Sequence, residues 1–258
     1  MSDAEADIGA LSDAALAAKI ATVAGELLLT IQTSGLFAGK ALGKAGDRTA
    51  NSFIIEALKS ARPDDAVLSE EEADSVARCA VSRVWIVDPL DGTREYGERR
   101  TDWAVHVALA IDGAPVIGAV ALPGLGVTLS SEDCAAPTPH AGKPRLLVSR
   151  TRPAKEALLL AEKLGAELVP MGSAGAKAMA VVRGEADIYF HTGGQYEWDN
   201  CAPAAVARAA GLHVSRADGS PLIYNCENPY LPDLLICRQE QAERILALIA
   251  EIPGSEAA

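Results

Sequence analysis

The sequence predicts an α/β layered protein, and three observations support this fold class. The chain has 258 residues, 49% of them apolar, which is enough to bury a sizeable core. Short apolar segments with strand character alternate with segments whose apolar residues recur at helical spacing, a pattern typical of layered α/β domains. A stretch rich in Pro and Gly at residues 130–143 predicts a boundary, so we expect two α/β subdomains, over residues 1–135 and 143–258.

Two helices are predicted at the start of the chain. The first covers residues 12–30, and the second ends at Pro63. The apolar residues that define these helices by their spacing are Leu16, Ile20, Val23, Leu27, Ala50, Ile54 and Leu58. Residues 31–46 are rich in Gly and Lys, so we expect a mobile loop there, with Asp47 as the N-cap of the second helix.

Two short apolar strands then run directly into acidic residues. Residues 66–69 precede Glu70, and residues 84–87 precede Asp88, which Asp91 follows. Either acidic segment alone could be an ordinary solvated turn. Two strands that both deliver carboxylates at their ends are a more demanding coincidence, which favours a functional site over surface turns.

The segment from Asp88 to Thr93 has the chemistry of a metal and phosphate site. Asp88 and Asp91 bracket a proline-stiffened bend, so their oxygens can converge with the carbonyl group of Leu90, a ligand set that suits Mg²⁺. Gly92 allows the backbone to approach a ligand closely. A helix that begins near Thr93 would direct free N–H groups at an anion held by the metal.

The remaining sequence predicts further strands and helices. Residues 103–122 form a hairpin that turns at Asp112-Gly113, and His106 within it is expected to be packed or hydrogen-bonded rather than a metal ligand. Beyond the boundary we predict strands at 145–149, 167–170, from 188, near 213 and at 234–237, and helices at 153–164, 201–210 and around 245–248. In the helix at 153–164, Leu158 and Leu159 are expected to face inward.

Two further segments of the C-terminal half have the composition of ligand sites. The small residues of 171–177 join a strand to a helix, and their backbone N–H groups, with Lys177 nearby, suit a phosphate. A plain glycine-rich connector is the other interpretation. Asp199 precedes the predicted helix at 201–210, where capping and metal binding are equally compatible with the sequence.

Composition limits the classes of partner. A formal net charge of −12 argues against unaided binding to nucleic acid or to an anionic membrane, so an anionic substrate would need a metal bridge. The five cysteines are scattered and never spaced as Cys-x-x-Cys, which predicts neither a zinc ribbon nor a disulfide framework. Neither a secretory signal nor a membrane span is expected, so the predicted location is cytoplasmic.

Three acidic motifs, taken together, resemble those of a known family. The matching segments are Leu68-Ser69-Glu70-Glu71, Trp85-Ile86-Val87-Asp88-Pro89-Leu90-Asp91-Gly92-Thr93 and Glu197-Trp198-Asp199. Their order and surroundings are similar to those of the lithium-sensitive, Mg²⁺-dependent phosphatases of the inositol monophosphatase superfamily. Within it, the continuation Thr93-Arg94-Glu95 and the segment Val148-Ser149-Arg150 look most like the bacterial 3′(2′),5′-bisphosphate nucleotidases.

The resemblance implies a fold and an activity. The fold would be an αβαβα sandwich, usually in a homodimer. The activity would be Mg²⁺-dependent hydrolysis of the 3′-phosphate of 3′-phosphoadenosine 5′-phosphate, giving AMP and phosphate, in sulfate assimilation. A broader inositol-1-phosphate or fructose-1,6-bisphosphate phosphatase is the alternative within the class. A non-catalytic metal or nucleotide sensor is the alternative from another class.

The resemblance also implies roles for individual residues. Two or three Mg²⁺ ions would be held by Glu70, Asp88, Asp91, Asp199 and the Leu90 carbonyl group. Gly92 and Thr93 would contact the scissile phosphate, Thr93 would orient the attacking water, and Gly175 and Lys177 would lie near the nucleotide. Asp47 is the candidate partner of Thr93. Thr192 stands where inositol-preferring members carry Glu, which weakens an inositol interpretation.

Overall fold

The computed structural model describes residues 8–138 and 141–253, and within them ten strands form two five-stranded sheets. The strands of the first sheet are β1 (Ala66–Ser69), β2 (Arg83–Asp91), β3 (Ala104–Ile111), β4 (Ala114–Leu122) and β5 (Val127–Ser130). The strands of the second are β6 (Arg145–Ser149), β7 (Glu167–Met171), β8 (Ile188–Tyr196), β9 (Leu212–Ser215) and β10 (Tyr230–Arg238). The predicted boundary therefore falls between the sheets, although the subdomain limits of 1–135 and 143–258 include residues outside the described ranges.

Seven α-helices lie within the described residues. They are α1 (Asp13–Thr33), α2 (Gly39–Ala61), α3 (Thr93–Gly97), α4 (Lys155–Leu164), α5 (Ala174–Val182), α6 (Glu197–Ala209) and α7 (Ala242–Ala250). Helices α1 and α2 pack on the outer face of the first sheet, α5 and α6 lie between the sheets, and α4 and α7 cover the outer face of the second. The predicted αβαβα sandwich is confirmed.

Strand pairing in the first sheet brings acidic residues to one edge. The sheet has the order β1-β2-β3-β4-β5, and β1 runs parallel to β2 with Ser69 opposite Val87. The residues that follow, Glu70 after the end of β1 and Asp88 within β2, consequently lie side by side. Pairing between β2 and β3 becomes irregular between Asp88 and Asp91, as expected where Pro89 interrupts the ladder.

The second sheet positions the other half of the molecule. Its order is β7-β6-β8-β10-β9, with β6 parallel to β7 and β8 and the remaining pairs antiparallel. Strands β7 and β8 each lead directly toward a helix of the middle layer, α5 and α6 respectively. The N-termini of both helices therefore open toward the acidic edge of the first sheet.

Helix α2 corrects two predictions. It begins at Gly39, so the loop expected over residues 31–46 is largely helical, and Asp47 lies within the helix rather than at its N-cap. Packing explains the difference, because a Cβ atom at Gly43 would come 2.7 Å from Thr93 Cγ2 and one at Gly46 would come 2.7 Å from Tyr96 Cε1. The glycines that look like loop residues in the sequence are needed so that α2 can lie against α3, and this tertiary contact outweighs their low helix propensity.

Two helices of the C-terminal half also differ from expectation. In α4 the buried residues are Ala157, Leu160 and Ala161, whereas Leu158 is 38% exposed, so the prediction that Leu158 faces inward is wrong. The apolar run in this helix is wider than its buried stripe. Helix α6 begins at Glu197 rather than at residue 201, which places Asp199 inside its first turn.

Helix α1 is long and apolar enough, by length and composition, to cross a membrane, which the sequence interpretation did not anticipate. Its residues Leu16, Ile20 and Leu28 are buried and pack in the core between the helix and the first sheet. Core packing accounts for its apolar composition.

Close contact between β4 and α6 joins the first sheet to the middle layer. A Cβ atom at Gly118 of β4 would lie 3.0 Å from the Cα atom of Ala202 and closer still to its carbonyl oxygen. Both residues are buried. Because backbone lies on both sides of this contact, added volume cannot be absorbed by a flexible side chain.

We expect Gly118→Ala to destabilise the protein by about 1–3 kcal/mol, because the new methyl group overpacks this contact. The free energy of unfolding in urea is the measurement. Val116→Ala is the matched control, since Val116 lies on the same strand, is 49% exposed and should change stability by no more than about 0.5 kcal/mol. Equal stability of Gly118→Ala and the native protein would contradict the packing argument.

Candidate active site

Three carboxylates from different parts of the chain converge between the two sheets. Asp88 and Asp91 come from the end of β2, and Asp199 comes from the first turn of α6. One carboxylate oxygen from each lies within 4.8 Å of the others. Carboxylate oxygens at this spacing could hold a divalent cation, and hard oxygen ligands are those that Mg²⁺ prefers.

Asp88 is the most deeply buried member of this cluster, at 1% exposure. Its Oδ1 atom accepts a hydrogen bond of 3.0 Å from the backbone N–H of Leu90, which fixes the carboxylate across the bend at Pro89. Burial, followed by the negative charges of Glu70, Asp91 and Asp199, raises the pKa of Asp88 well above its ordinary value.

Asp91 has the opposite environment, because two backbone N–H groups donate to its carboxylate and a histidine ring lies in contact with it. The N–H groups of Ala174 and Gly175, at the start of α5, donate to its two oxygens at 3.1 and 2.6 Å. The Nε2 atom of His106 lies 3.2 Å from Oδ2. Burial raises the pKa of Asp91, but the interaction with His106, the Gly175 N–H and the charge of Lys177 outweigh it, so the pKa lies below its ordinary value.

Asp199 is the third member of the cluster, whereas the predicted ligand Glu70 lies beside the cluster rather than within it. Burial and the charge of Asp91 raise the pKa of Asp199 to about 6, even though the backbone N–H of Tyr196 donates to its Oδ2 atom at 2.6 Å. Glu70 is an exposed residue beside the three converged carboxylates, and its backbone N–H donates to the carbonyl of Val87. Loss of hydration and the charges of Asp47, Asp199 and Asp91 raise the pKa of Glu70 to about 8.

Asp47 and Thr93 line one cavity of about 570 Å³ next to this cluster. Thr93 Oγ1 donates to the carbonyl of Leu90 at 3.2 Å, and within the described residues Asp47 Oδ1 is buried without a hydrogen-bond partner. Burial and the nearby Glu71 raise the pKa of Asp47 to about 7. The two residues are thus brought to one cavity, although the described residues contain no hydrogen bond between them.

Basic side chains also line this cavity, which is notable in a chain of net charge −12. They are Lys40, Lys44, Arg48 and Arg94. Within residues 8–138 and 141–253, none of these side chains takes part in an ion pair. Their charge is therefore available to attract an anion toward Thr93.

Steric contacts explain why two positions of the site are occupied by glycine. Gly92 has a φ of 90° and forms the N-cap of α3, and a Cβ atom there would lie 2.9 Å from the Cβ atom of Ser173. A Cβ atom at Gly175 would overlap His106 Nε2. Gly175 is therefore required for close approach of α5 to His106, which adds to the hydrogen bond that its N–H group donates to Asp91.

Lys177 is buried at 5% exposure, and its ammonium group donates to the carbonyl oxygens of Gly172 and Ser173. Burial lowers the pKa of Lys177 to about 8. Its side chain therefore binds the turn between β7 and α5 from within the protein, and its charge also acts on Asp91.

The sequence interpretation missed the role of His106. Packing and hydrogen bonding of this residue are confirmed, since it is fully buried and its Nδ1 atom lies 3.0 Å from the carbonyl oxygen of Trp198. Its other nitrogen contacts Asp91, so His106 links the two halves of the acidic cluster. Both contacts join distant parts of the chain, and local spacing contains no signal for them.

Arg150, which belongs to one of the motifs in the sequence, connects the N-terminal and C-terminal halves of the chain near α3. Its guanidinium group donates to Glu95 and Glu98, each at 2.8 Å. The Asp102 carboxylate in turn accepts from the N–H of Gly172 at 2.6 Å. These contacts hold the short helix that begins at Thr93 against the segment that leads into α5.

Comparison with known sequences places this geometry in a family. Residues 10–253 match the sequence profile of the inositol monophosphatase family. The chain is 51% identical over 257 residues to the 3′-phosphoadenosine 5′-phosphate phosphatase of Mycobacterium leprae, covering 94% of this chain and 95% of that protein. It is 33% identical over 199 residues to the 3′(2′),5′-bisphosphate nucleotidase CysQ of Escherichia coli K12, covering 72% and 81%.

Solved structures have the same fold. CysQ from Bacteroides thetaiotaomicron, a bacterial member of the family, superposes with a TM-score of 0.75 at 27% identity, covering 86% of this chain and 96% of that chain. Inositol monophosphatase II from Staphylococcus aureus superposes with a TM-score of 0.76 at 19% identity, covering 92% and 95%, which supports the fold alone. From its matched length, its relatives and its acidic cluster, the chain belongs to the inositol monophosphatase family.

Proposed function

We propose that the protein is a phosphomonoesterase that hydrolyses the 3′-phosphate of 3′-phosphoadenosine 5′-phosphate, giving AMP and phosphate. The observation that carries this proposal is the convergence of Asp88, Asp91 and Asp199 beside Thr93, in a chain 51% identical to a phosphatase of that name. This identity favours the nucleotide over inositol-1-phosphate or fructose-1,6-bisphosphate. The activity places the enzyme in sulfate assimilation, and we propose a cytoplasmic location, a homodimer and sensitivity to lithium.

The acidic cluster fits Mg²⁺. Asp88 is buried, has one backbone donor and lies among like charges, so a cation is the partner its environment lacks. We propose that Glu70, Asp88, Asp91, Asp199 and the Leu90 carbonyl group hold two or three Mg²⁺ ions. When bound, Mg²⁺ neutralises charge on phosphate oxygens and favours ionisation of water. The Asp91 contacts with His106 and α5 keep its carboxylate ionised and oriented.

The protein's own residues would position water and substrate. We propose that Thr93 and Asp47 orient the attacking water, because both line one cavity and the buried Asp47 Oδ1 atom lacks a protein partner. Gly92 and the N–H groups at the start of α3 would bind the scissile phosphate. Gly175 and Lys177 would lie near the nucleotide. Lys177 would contribute positive charge from its buried position against the turn between β7 and α5.

Asp88→Asn should lower kcat by at least about a thousandfold, because a neutral amide is a poor Mg²⁺ ligand at the centre of the site. Phosphate release from 3′-phosphoadenosine 5′-phosphate is the measurement, with calorimetric titration of Mg²⁺ as the parallel test of binding. Unchanged turnover would remove the proposal. Tight nucleotide binding without phosphate release by the native enzyme would favour the non-catalytic sensor.

The proposed pair of Thr93 and Asp47 makes a separate prediction. Thr93→Ala and Asp47→Asn should each lower kcat by about a hundredfold or more with Mg²⁺ affinity largely kept, since the loss concerns water orientation. If the residues act as a unit, the double variant should be little worse than either single one. Fully multiplicative effects would show that they act independently. Thr101→Ala, an exposed change near the site, is the control.

Metal removal should make stability depend on pH in a definite direction. The pKa values of Glu70, Asp47 and Asp199 are raised to about 8, 7 and 6, above those of the unfolded chain. The folded state therefore binds more protons between about pH 4 and 8, so stability falls as pH rises through this window. In EDTA we expect a Tm several degrees lower at pH 8 than at pH 6.

Saturating Mg²⁺ should remove most of this difference, because metal binding favours the ionised carboxylates. Asp88→Asn provides a control, since deleting one clustered charge should raise the Tm in EDTA at pH 8 while abolishing stabilisation by Mg²⁺. A Tm in EDTA that rises between pH 6 and pH 8 would contradict the electrostatic account.

A further inference from the structure

Three aromatic residues form a corner beside the acidic cluster, in which two rings are exposed and Trp198 is partly buried against the core. The rings of Tyr196 and Trp198 are stacked, with centroids 4.8 Å apart and planes 7° from parallel. Tyr230 meets Tyr196 nearly at a right angle, at 5.9 Å and 82°. We call Tyr196, Trp198 and Tyr230 the aromatic corner. Tyr196 and Tyr230 are each 44% exposed, which is unusual for rings that already contact other rings.

Backbone contacts tie the aromatic corner to the proposed metal ligands. The N–H of Tyr196 donates to Asp199 Oδ2 at 2.6 Å, and the carbonyl oxygen of Trp198 lies 3.0 Å from His106 Nδ1. Tyr230 is opposite Tyr196 in the β8–β10 ladder. The corner is therefore built on the same turn that delivers Asp199.

Gly194 accommodates the Tyr230 ring. Its φ is 95°, and a Cβ atom there would lie 3.0 Å from Cε2 of Tyr230. Gly193 also has a φ of 95°, and nothing lies within 4 Å of its Cβ position. Residues 193 and 194 of β8 therefore carry no side chains, and the Tyr230 ring occupies the position that a Cβ atom at Gly194 would need.

The in-line geometry of phosphoryl transfer also favours a nucleoside on the side of the aromatic corner. In phosphoryl transfer the attacking and leaving oxygens lie roughly in line. Thr93 and Asp47, which we propose orient the water, line a cavity formed by α2 and α3 of the N-terminal half. The leaving nucleoside would then lie on the opposite side of the phosphate, toward the C-terminal half that contains the aromatic corner.

We propose that the aromatic corner is the stacking surface for the purine base of the substrate, with Tyr196 as the ring that the base contacts. This inference rests on the proposed function, since it assigns a place to the non-reacting part of that substrate. Stacking on an exposed ring uses the π-face that every base has, so it favours purines by their area rather than by hydrogen bonding to base edges. Tyr196 is then a determinant of substrate preference, and it takes no part in the chemical step.

Intrinsic fluorescence offers a direct test of binding. Of the three tryptophans, Trp85 and Trp103 are fully buried, so Trp198, stacked on Tyr196, is the one placed to respond. In Mg²⁺, AMP should change this emission, whereas ribose 5-phosphate, which lacks the base, should cause little change. Tyr196→Ala should weaken AMP binding about tenfold, the loss expected for one stacked base. Tyr196→Phe, which keeps the ring, should bind AMP as the native protein does.

Kinetics separate base stacking from a merely structural role. Because stacking is equal in the ground and transition states, Tyr196→Ala should raise KM for 3′-phosphoadenosine 5′-phosphate about tenfold and leave kcat nearly unchanged. A fall in kcat instead would indicate displacement of Asp199 and would overturn the proposal. Tyr196→Leu, which keeps an apolar side chain but has no ring, should behave as Tyr196→Ala, which keeps the test valid if the alanine variant folds poorly.

The outcomes distinguish this inference from the proposed function. Normal hydrolysis of the nucleotide by the native enzyme, with unchanged KM and AMP affinity in Tyr196→Ala, would overturn the stacking role alone. AMP binding that depends on Tyr196, without phosphate release, would overturn the activity and keep the base site. A shift of the oligomeric state in Tyr196→Ala, with unchanged AMP affinity, would instead assign the corner to contact with a second copy of the chain.

Discussion

Buried negative charge is the constraint on which the rest of this structure depends. Asp88 and Asp91 are 1% and 7% exposed, the charge of Asp91 raises the pKa of Asp199, and the charges of Asp199 and Asp91 raise the pKa of Glu70. Of the four carboxylates, Asp91 alone has a pKa below its ordinary value, because two N–H groups of α5 donate to it and His106 lies beside it. The other carboxylates have an unfavourable environment that a divalent cation would correct, because a buried charge is tolerated only when it is paired.

The fold brings these charges together by combining the C-terminal ends of strands with the N-terminal ends of helices. Parallel pairing of β1 with β2 delivers Glu70 and Asp88 to one edge, while the N-termini of α5 and α6 approach that edge from the second sheet. His106 and Arg150 bridge the halves at the same level. The site therefore exists only when both sheets are in place, and its geometry depends on the middle helical layer that joins them.

The two sides of the acidic cluster have different chemical character. Toward the N-terminal half, the cavity has Thr93, Asp47 and basic side chains that form no ion pair with any residue the structure describes, which suits water and anionic phosphate. Toward the C-terminal half, Tyr196, Trp198 and Tyr230 present aromatic surface, which suits a nucleoside. Such a division would allow related proteins to keep one metal site and change their substrate through residues on the second side.

The sequence by itself determined the fold class, the two strands that lead into Glu70 and Asp88, and the candidate metal ligands, because strand periodicity and carboxylate spacing are local properties. Only the tertiary structure decided that residues 39–46 are helical, that Leu158 is exposed, and that His106 contacts Asp91. Each of these depends on atoms far away in the chain. Gly43 and Gly46 look like loop residues until Thr93 and Tyr96 pack against them, and the partner of His106 is set by sheet register and helix packing rather than by sequence spacing.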